Sequence, residues 1–125
     1  VALGLMLGGH LGFVGAQVQN EVKPKKLNPF TGNPGAIKEG RAIYFKYGCN
    51  GCHGGTGGGG MGRPIVDDEW TFGSDDETVF KLIRGQIPDQ TMPAVFGKVM
   101  TEEETWKIIA WIRSIYRGDP SLVDW

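Results

Sequence analysis

Residues 49–53 read Cys49-Asn50-Gly51-Cys52-His53, and this stretch decides how the rest of the chain is interpreted. The pattern C-x-x-C-H is the attachment signature for a c-type haem. The two thiols are spaced to add across the two vinyl groups of one haem, and the histidine that follows can bring its imidazole to the iron from the same side. The motif therefore predicts one covalently attached haem, held by two thioethers and one iron–nitrogen bond.

Other uses of two nearby cysteines fit the sequence less well. A zinc site needs about four ligands, whereas the chain has two cysteines and two histidines, and the second histidine, His10, lies far upstream. A thioredoxin-like redox pair is expected in a βαβ setting, which the sequence does not suggest. A disulfide across two residues is strained and closes a trivial loop.

Composition and charge describe a small, nearly neutral protein. Its 125 residues suit one domain, and the formal net charge of −1 offers no polycationic surface for nucleic acid. Residues 1–18 are apolar and carry no acid, lysine or arginine, so they indicate an export signal that is cleaved or, alternatively, retained as a membrane anchor. Either interpretation predicts a periplasmic protein, and membrane contact is expected only if residues 1–18 are kept.

The remainder of the chain divides into three parts. Residues 19–34 carry three lysines and three prolines and predict an extended linker arm, which is either solvated or docks an acidic partner. Residues 35–118 are the expected haem domain, and residues 119–125 are expected to form a short surface tail.

The first helix of the haem domain is predicted over residues 35–47. Pro34 suits a helix start and Gly48 suits a helix end. Gly40 lies in the middle, where glycine costs about 1 kcal/mol relative to alanine, so either another helix approaches closely there or the glycine is simply tolerated. The expected apolar face comprises Ile37, Ala42, Ile43, Phe45 and Tyr47.

Two capping boxes predict the other two main helices. Ser74, with Glu77 at the third helical position, opens a short helix that ends before a glycine. Thr101, with Glu104, opens the last helix, which is expected to run to about Arg117. Its broad apolar face carries aromatic rings that are expected to lie across the mid-helix glycine of the first helix.

Residues 54–62 are nearly all glycine. A formal match to G-x-G-x-x-G is set aside because a dinucleotide site needs a strand before the motif and a helix after it. A steric role is favoured, in which glycine lets the backbone wrap tightly against the haem edge. Pro64 follows, and its carbonyl is a candidate acceptor for the Nδ1 hydrogen of His53, with an ordinary turn proline as the alternative. Trp70 either covers the haem and donates its indole N–H to a propionate or only packs in the core.

A methionine downstream is the candidate sixth ligand of the iron. Met92 lies in a loop that is stiffened by Pro88 and Pro93. A thioether is a neutral, soft ligand that favours ferrous iron and raises the reduction potential. Met61 and Met100 are the rivals for this position.

Together these features resemble the class I c-type cytochromes. The similarity covers about residues 35–117 and rests on the first helix before C-x-x-C-H, the glycine-rich turn with Met-Gly-x-Pro, the Met-Pro loop and the aromatic last helix. The resemblance implies a small all-α fold, with three main helices around one covalently bound haem and the first and last helices crossed at right angles. It also implies roles for four residues: haem attachment for Cys49 and Cys52, proximal ligation for His53 and distal ligation for Met92.

Residues 61–70 and 109–113 look similar to the periplasmic cytochromes that take electrons from quinoprotein alcohol or methanol dehydrogenases. This similarity implies a one-electron carrier rather than an enzyme, with a quinoprotein dehydrogenase as donor and an oxidase or another cytochrome as acceptor. Two alternatives stay open: a haem subunit fixed in a membrane electron-transfer complex, and a haem enzyme or gas sensor with an open iron site. Acidic clusters at 67–69, 75–77 and 102–104 could steer a basic partner or simply mark helix starts.

Overall fold

The computed structural model describes residues 27–67 and 69–122, and the secondary structure in these ranges is entirely helical. The expected export signal, the lysines of the linker arm and the end of the tail lie outside the described residues. The helices are α1 (Pro34–Lys46), α2 (Asn50–His53), α3 (Asp76–Ile83), α4 (Phe96–Val99) and α5 (Glu102–Ser114), followed by a 3-10 turn (Pro120–Leu122). The predicted all-α class with three main helices is confirmed, and α1, α3 and α5 are those helices.

The ends of α1 follow the chemistry of the sequence. The side chain of Asn33 accepts a hydrogen bond from the Ala36 N–H at 3.0 Å, and Pro34 occupies the first helical position, where its missing N–H costs nothing. Gly48 ends the helix with a φ of +73°, a left-handed conformation that favours glycine. The predicted helix over residues 35–47 is therefore confirmed to within one residue.

Helices α1 and α5 cross at Gly40. A Cβ atom built on this glycine would lie 2.6 Å from the carbonyl carbon of Lys107, closer still to the carbonyl oxygen, and 3.1 Å from the Ile108 nitrogen. The predicted close approach is confirmed, but the backbone of α5 lies over the glycine, and not the aromatic rings as expected. Only a residue without a side chain permits this contact.

The buried face of α1 differs from the one expected from its apolar residues. Ala36, Gly40 and Tyr44 are buried, and they are spaced four residues apart along one face. Small residues at the first two positions let α5 approach, so bulky side chains can only flank this face. Of the five residues expected there, three are half-buried and two are exposed: Ile37, Ile43 and Tyr47 in the first group, Ala42 and Phe45 in the second.

Helix α3 begins one residue later than predicted. Asp75, and not Ser74, is the N-cap, because the Asp75 carboxylate accepts a hydrogen bond from the Thr78 N–H at 3.1 Å. Aspartate caps as well as serine, and this register turns Asp76 into the interior. There the Arg113 Nε donates to Asp76 Oδ1 at 3.0 Å, and both side chains are only 3% exposed. A buried ion pair therefore decides the register of the cap.

Helix α5 begins as predicted and ends early. The Glu104 N–H donates to Thr101 Oγ1 and the Thr101 N–H donates to Glu104 Oε1, both at 3.1 Å, so the capping box is confirmed. The helix ends at Ser114 and not near Arg117, because the Arg117 N–H leaves the helical pattern to donate to the Val66 carbonyl at 2.7 Å. The four-residue helices α2 and α4 were not predicted, since a single turn does not complete an apolar repeat.

Part of the expected linker arm is packed on the haem domain. Asn28 is buried; its N–H donates to Asp76 Oδ2 at 2.9 Å and its side-chain amide donates to the Trp106 carbonyl at 2.7 Å. Phe30 packs against the core and lies under the Lys107 ammonium. Residues 28–33 therefore belong with the folded unit, because a buried polar network and an aromatic ring hold them there.

Within the described ranges, no helix is long and apolar enough to cross a membrane.

Candidate haem site

The C-x-x-C-H motif is held by the end of α1. The Cys49 N–H donates to the Tyr44 carbonyl at 3.0 Å, and the His53 N–H donates to the Cys49 carbonyl at 2.9 Å, so the motif forms the single turn of α2. The buried Tyr44 hydroxyl donates to the Gly54 carbonyl at 2.5 Å, just beyond the motif. Hydrogen bonds within the chain therefore fix both ends of α2.

Burial changes the acidity of two groups in this region. It raises the pKa of Tyr44 to about 12 and that of the Cys49 thiol to about 11, and the nearby cysteines add to the effect on the tyrosine. Tyr44 therefore stays a hydrogen-bond donor at every physiological pH. The role of Tyr44 is not evident from the sequence alone, although the residue lies only five positions before the first cysteine of the motif.

A backbone carbonyl fixes the imidazole of His53. The His53 Nδ1 donates to the Arg63 carbonyl at 2.7 Å, so the prediction that the Pro64 carbonyl accepts this hydrogen is wrong by one residue. The Arg63 side chain donates to Glu69 and Thr71, each at 2.9 Å, which ties this segment down. With the hydrogen on Nδ1, the lone pair of the ring lies on Nε2, the atom that is left to bind a metal.

The glycine-rich segment packs against the motif itself. The Gly62 N–H donates to the Cys52 carbonyl and the Gly59 N–H donates to the His53 carbonyl, both at 2.8 Å. A Cβ atom at Gly62 would lie 3.0 Å from His53 Cε1 and 3.2 Å from Cys52 Cβ. The segment is tightly packed, but the close neighbour that the structure shows is the His53 imidazole, whereas the expected contact with a haem edge stays a prediction. Side chains here would push the histidine out of place.

Two neighbouring cavities are lined by residues of the motif. An inner, apolar cavity of about 60 Å³ reaches the core, and an open cleft of about 460 Å³ adjoins it. A volume of several hundred cubic ångströms with apolar walls is typical of a cofactor site. Five residues line both spaces: His53, Ile65, Trp70, Leu82 and Met92.

Trp70 carries a buried polar atom that suits an anionic group. Its indole Nε1 is buried and has no hydrogen-bond partner within the described part of the chain. Buried donors are nearly always paired, and this one belongs to a ring that lines both cavities. A haem brings propionate oxygens, which accept hydrogen bonds. The residues present therefore fit this cofactor. Two thiols and an imidazole lie at the walls, apolar side chains surround the space, and the indole N–H is able to donate to a propionate.

The three methionines of the described part lie in different surroundings. Met92 lines both cavities, together with His53. Met61 is 88% exposed and borders only the outer cleft. Met100 is 4% exposed in the core, and its sulfur accepts a hydrogen bond from Thr105 Oγ1 at 3.2 Å. Of these three methionines, Met92 is therefore the one that shares both cavities with His53.

The far end of the Met92 loop is held by Arg84. Its guanidinium donates to the Gly97 carbonyl at 3.1 Å and to the Met100 carbonyl at 2.9 Å. A Cβ at Gly97 would clash with the Arg84 carbonyl, so the loop and the end of α3 are in backbone contact. The role of Arg84 could not be predicted from the sequence, because its partners are backbone carbonyls 13 and 16 residues away.

Comparison with known sequences places the chain among haem proteins. Residues 35–112 match the family model described as cytochrome c oxidase, cbb3-type, subunit III. Cytochrome c-L of Methylorubrum extorquens is 29% identical over 100 residues, which cover 78% of this chain and 49% of the relative. The cbb3-type cytochrome c oxidase subunit FixP of Sinorhizobium medicae is 29% identical over 100 residues, covering 71% of this chain and 34% of FixP. The chain thus spans about half and about a third of these two relatives.

Two solved structures share the fold. Cytochrome cL from the marine methylotrophic bacterium Methylophaga aminisulfidivorans has a TM-score of 0.72 and 31% identity, covering 79% of this chain and 65% of that one. Cytochrome cL from Hyphomicrobium denitrificans has a TM-score of 0.70 and 32% identity, covering 79% and 58%. Because the family model spans more than half of the chain and both structures share its fold, the chain belongs to the class I c-type cytochromes, with one haem for whose covalent attachment Cys49 and Cys52 form the motif.

Proposed function

We propose that the protein is a one-electron carrier whose haem iron is held between His53 and Met92. The observation that carries the proposal is that both residues line the same two neighbouring cavities, while Met61 is exposed and the sulfur of the buried Met100 accepts a hydrogen bond from Thr105. The haem, when bound, supplies the ferric–ferrous couple. The chain supplies the ligands and an apolar surrounding.

Each residue of the site has a defined task in this proposal. Cys49 and Cys52 hold the cofactor covalently. The hydrogen bond from His53 Nδ1 to the Arg63 carbonyl orients the ring and makes Nε2 a better donor of electron density. Trp70 would donate to a propionate, which would satisfy its buried Nε1. Pro64, which borders the outer cleft, keeps only a packing role.

With His53 and Met92 both bound to the iron, no iron site would remain for substrate or oxygen. This favours a carrier over an enzyme or gas sensor. Met92→Ala tests the assignment, because removal of the sulfur should open the sixth position and lower the reduction potential by about 0.1 V or more. The measurements are redox titration and the visible spectrum of the ferrous protein under carbon monoxide.

Met61→Ala is the matched control. Its side chain is 88% exposed, so neither the potential nor carbon monoxide binding should change. If Met92→Ala keeps the wild-type potential and still excludes carbon monoxide, Met92 is not the ligand. A change in Met61→Ala instead would transfer the role to that residue.

A quinoprotein dehydrogenase is the donor that we propose, with an oxidase or another cytochrome as acceptor. The likeness to cytochrome cL proteins, including one from a methylotrophic bacterium, supports this choice. The acidic clusters contribute little to docking, because several of their members are paired within the chain: Glu69 with Arg63, Glu77 with Lys81 and Glu103 with Lys107. Stopped-flow reduction by a purified quinoprotein methanol dehydrogenase tests the donor; reduction no faster than by free quinol would contradict it.

The second candidate function is that of a haem subunit fixed in a membrane oxidase. The match to the cbb3-type subunit III model and to FixP favours it. Both candidates place the haem domain in the periplasm. Fractionation of cells that express the full gene distinguishes them, since a carrier is released with the periplasmic fraction and a subunit stays with the oxidase in the membrane.

A further inference from the structure

The loop that carries Met92 is fastened by one side-chain amide. Gln90 Nε2 donates to the Leu82 carbonyl and to the Met92 carbonyl, both at 2.9 Å. Gln90 Oε1 accepts from the Ile87 N–H at 3.0 Å. The amide group therefore makes three hydrogen bonds, all of them to backbone groups. We propose that Gln90 is a positioning residue that holds the Met92 sulfur in place for the haem iron; this inference rests on the proposed ligation by Met92.

The chemistry of the three bonds requires glutamine. Two carbonyl oxygens, at Leu82 and Met92, face the same point, and only a group with two N–H donors can satisfy both. The third partner, the Ile87 N–H, needs an acceptor on the same group. A carboxylate would meet the N–H but repel both carbonyls, and an asparagine would be shorter by one methylene. The amide therefore joins the ligand's own backbone to the last turn of α3.

The surrounding turn brings Gln90 into reach. The Gln90 N–H approaches the Ile87 carbonyl at 3.4 Å, which closes a turn with Pro88 at its second position. Asp89, at the third position, has a φ of +62°, a left-handed conformation that is uncommon outside glycine. A strained residue beside the amide indicates that the surrounding bonds fix the turn firmly.

Fixing the Met92 backbone matters because the Gln90 amide holds the near end of the loop, whereas Arg84 holds its far end. Leu82 lines both cavities, so the carbonyl that Gln90 binds belongs to a wall of the site. When the loop is already ordered, binding of the sulfur to the iron carries no further entropic cost for ordering it. Without the amide, two facing carbonyls lose their shared donor and the loop can move away from the cavity. The iron should then exchange its sulfur for an external ligand more easily.

Imidazole affinity of the ferric holoprotein measures this exchange. Gln90→Ala should bind imidazole about tenfold more tightly, the factor that corresponds to about 1.4 kcal/mol. Gln90→Glu keeps the acceptor and loses both donors, so it should match Gln90→Ala. Gln86→Ala is the control: the same residue type in the same loop, exposed, with no side-chain hydrogen bond in the described ranges, and expected within about twofold of wild type. The weak far-red sulfur-to-iron band reports ligation independently.

The outcomes separate this inference from the proposed function. If Met92→Ala leaves the far-red band and imidazole affinity unchanged, the ligand assignment is wrong and the role of Gln90 goes with it. If Met92→Ala alters both but Gln90→Ala and Gln90→Glu stay within about twofold of wild type, Gln90 is not a positioning residue. In the Met92→Ala background, Gln90→Ala should add nothing, because there is no sulfur to position. An equal tenfold effect there, or in Gln86→Ala, would overturn the proposal.

Discussion

Replacement of Gly40 by alanine tests the helix crossing on which the fold depends. The new Cβ would lie 2.6 Å from the Lys107 carbonyl carbon and nearer still to the oxygen. Favourable contacts between carbon atoms begin at about 3.5 Å, so α1 and α5 must separate by about 1 Å. Both clashing groups are backbone, and no side chain can rotate away to relieve the contact.

The magnitude follows from two opposing terms. Alanine gains about 1 kcal/mol of helix propensity over glycine. Overpacking costs about 1–3 kcal/mol, and more where nothing can move, and separating the helices would also loosen Tyr44, Ile108 and Ile109, which are among the most buried side chains of the core. The net of these terms is a loss of up to about 2 kcal/mol, and because only backbone groups clash we expect Gly40→Ala to lower the free energy of unfolding by about that amount. For a domain of this size that lowers Tm by about 8 °C.

Gly35→Ala provides the matched control in the same helix. A Cβ there would meet only Asn33 Oδ1, at an ordinary 3.5 Å. Its stability should be unchanged or raised by up to about 1 kcal/mol. Both variants are compared as holoproteins by thermal and denaturant unfolding, followed by far-UV circular dichroism. If Gly40→Ala unfolds within about 0.5 kcal/mol of wild type, the backbone contact at Gly40 does not limit the packing of the two helices.

Three further substitutions test other parts of the molecule. Asp76→Asn removes the carboxylate that faces the buried Arg113 guanidinium, so the free energy of unfolding should fall by about 3–5 kcal/mol in denaturant titrations; a loss below about 1 kcal/mol would contradict the buried pair. The pKa of Glu104 is lowered, chiefly because the Thr101 N–H donates to its carboxylate. The ionised carboxylate therefore stabilises the fold above the unfolded pKa, and this stabilisation is lost as the pH falls through the lower, folded pKa. Glu104→Gln should therefore have a lower Tm than wild type at neutral pH, and the difference should shrink as the pH falls below the unfolded pKa of glutamate; a deficit that does not depend on pH would show that the charge is irrelevant. Asp89→Gly relieves a left-handed residue and costs backbone entropy, so a net gain of about 0.5 kcal/mol is expected by denaturant unfolding, and a loss of stability would argue against strain at this turn.

Features encoded by neighbouring residues could be predicted from the sequence. The cap at Thr101 and Glu104, the start of α1 at Pro34 and its end at Gly48 all depend on chemistry within four residues. Each is found where it was expected. The haem motif is of the same kind, since its five residues carry the whole pattern.

Features set by distant partners could not be predicted in this way. The register of α3 depends on the pair between Asp76 and Arg113, which are 37 residues apart. The carbonyl that fixes His53 belongs to Arg63 and not Pro64, and a backbone group leaves no mark in the sequence. The amide of Gln90 has one partner on α3, a helix whose position only the fold reveals.

The central claim is that the chain fills both axial positions of one covalent haem. The visible spectrum of the ferrous holoprotein, recorded before and after addition of carbon monoxide, tests this claim most directly. A c-type α-band that carbon monoxide does not shift is the expected result if, as we propose, His53 and Met92 both bind the iron and leave it no free position. A high-spin spectrum that shifts on addition of carbon monoxide would mean an open iron site, and would contradict the assignment of this protein as a carrier.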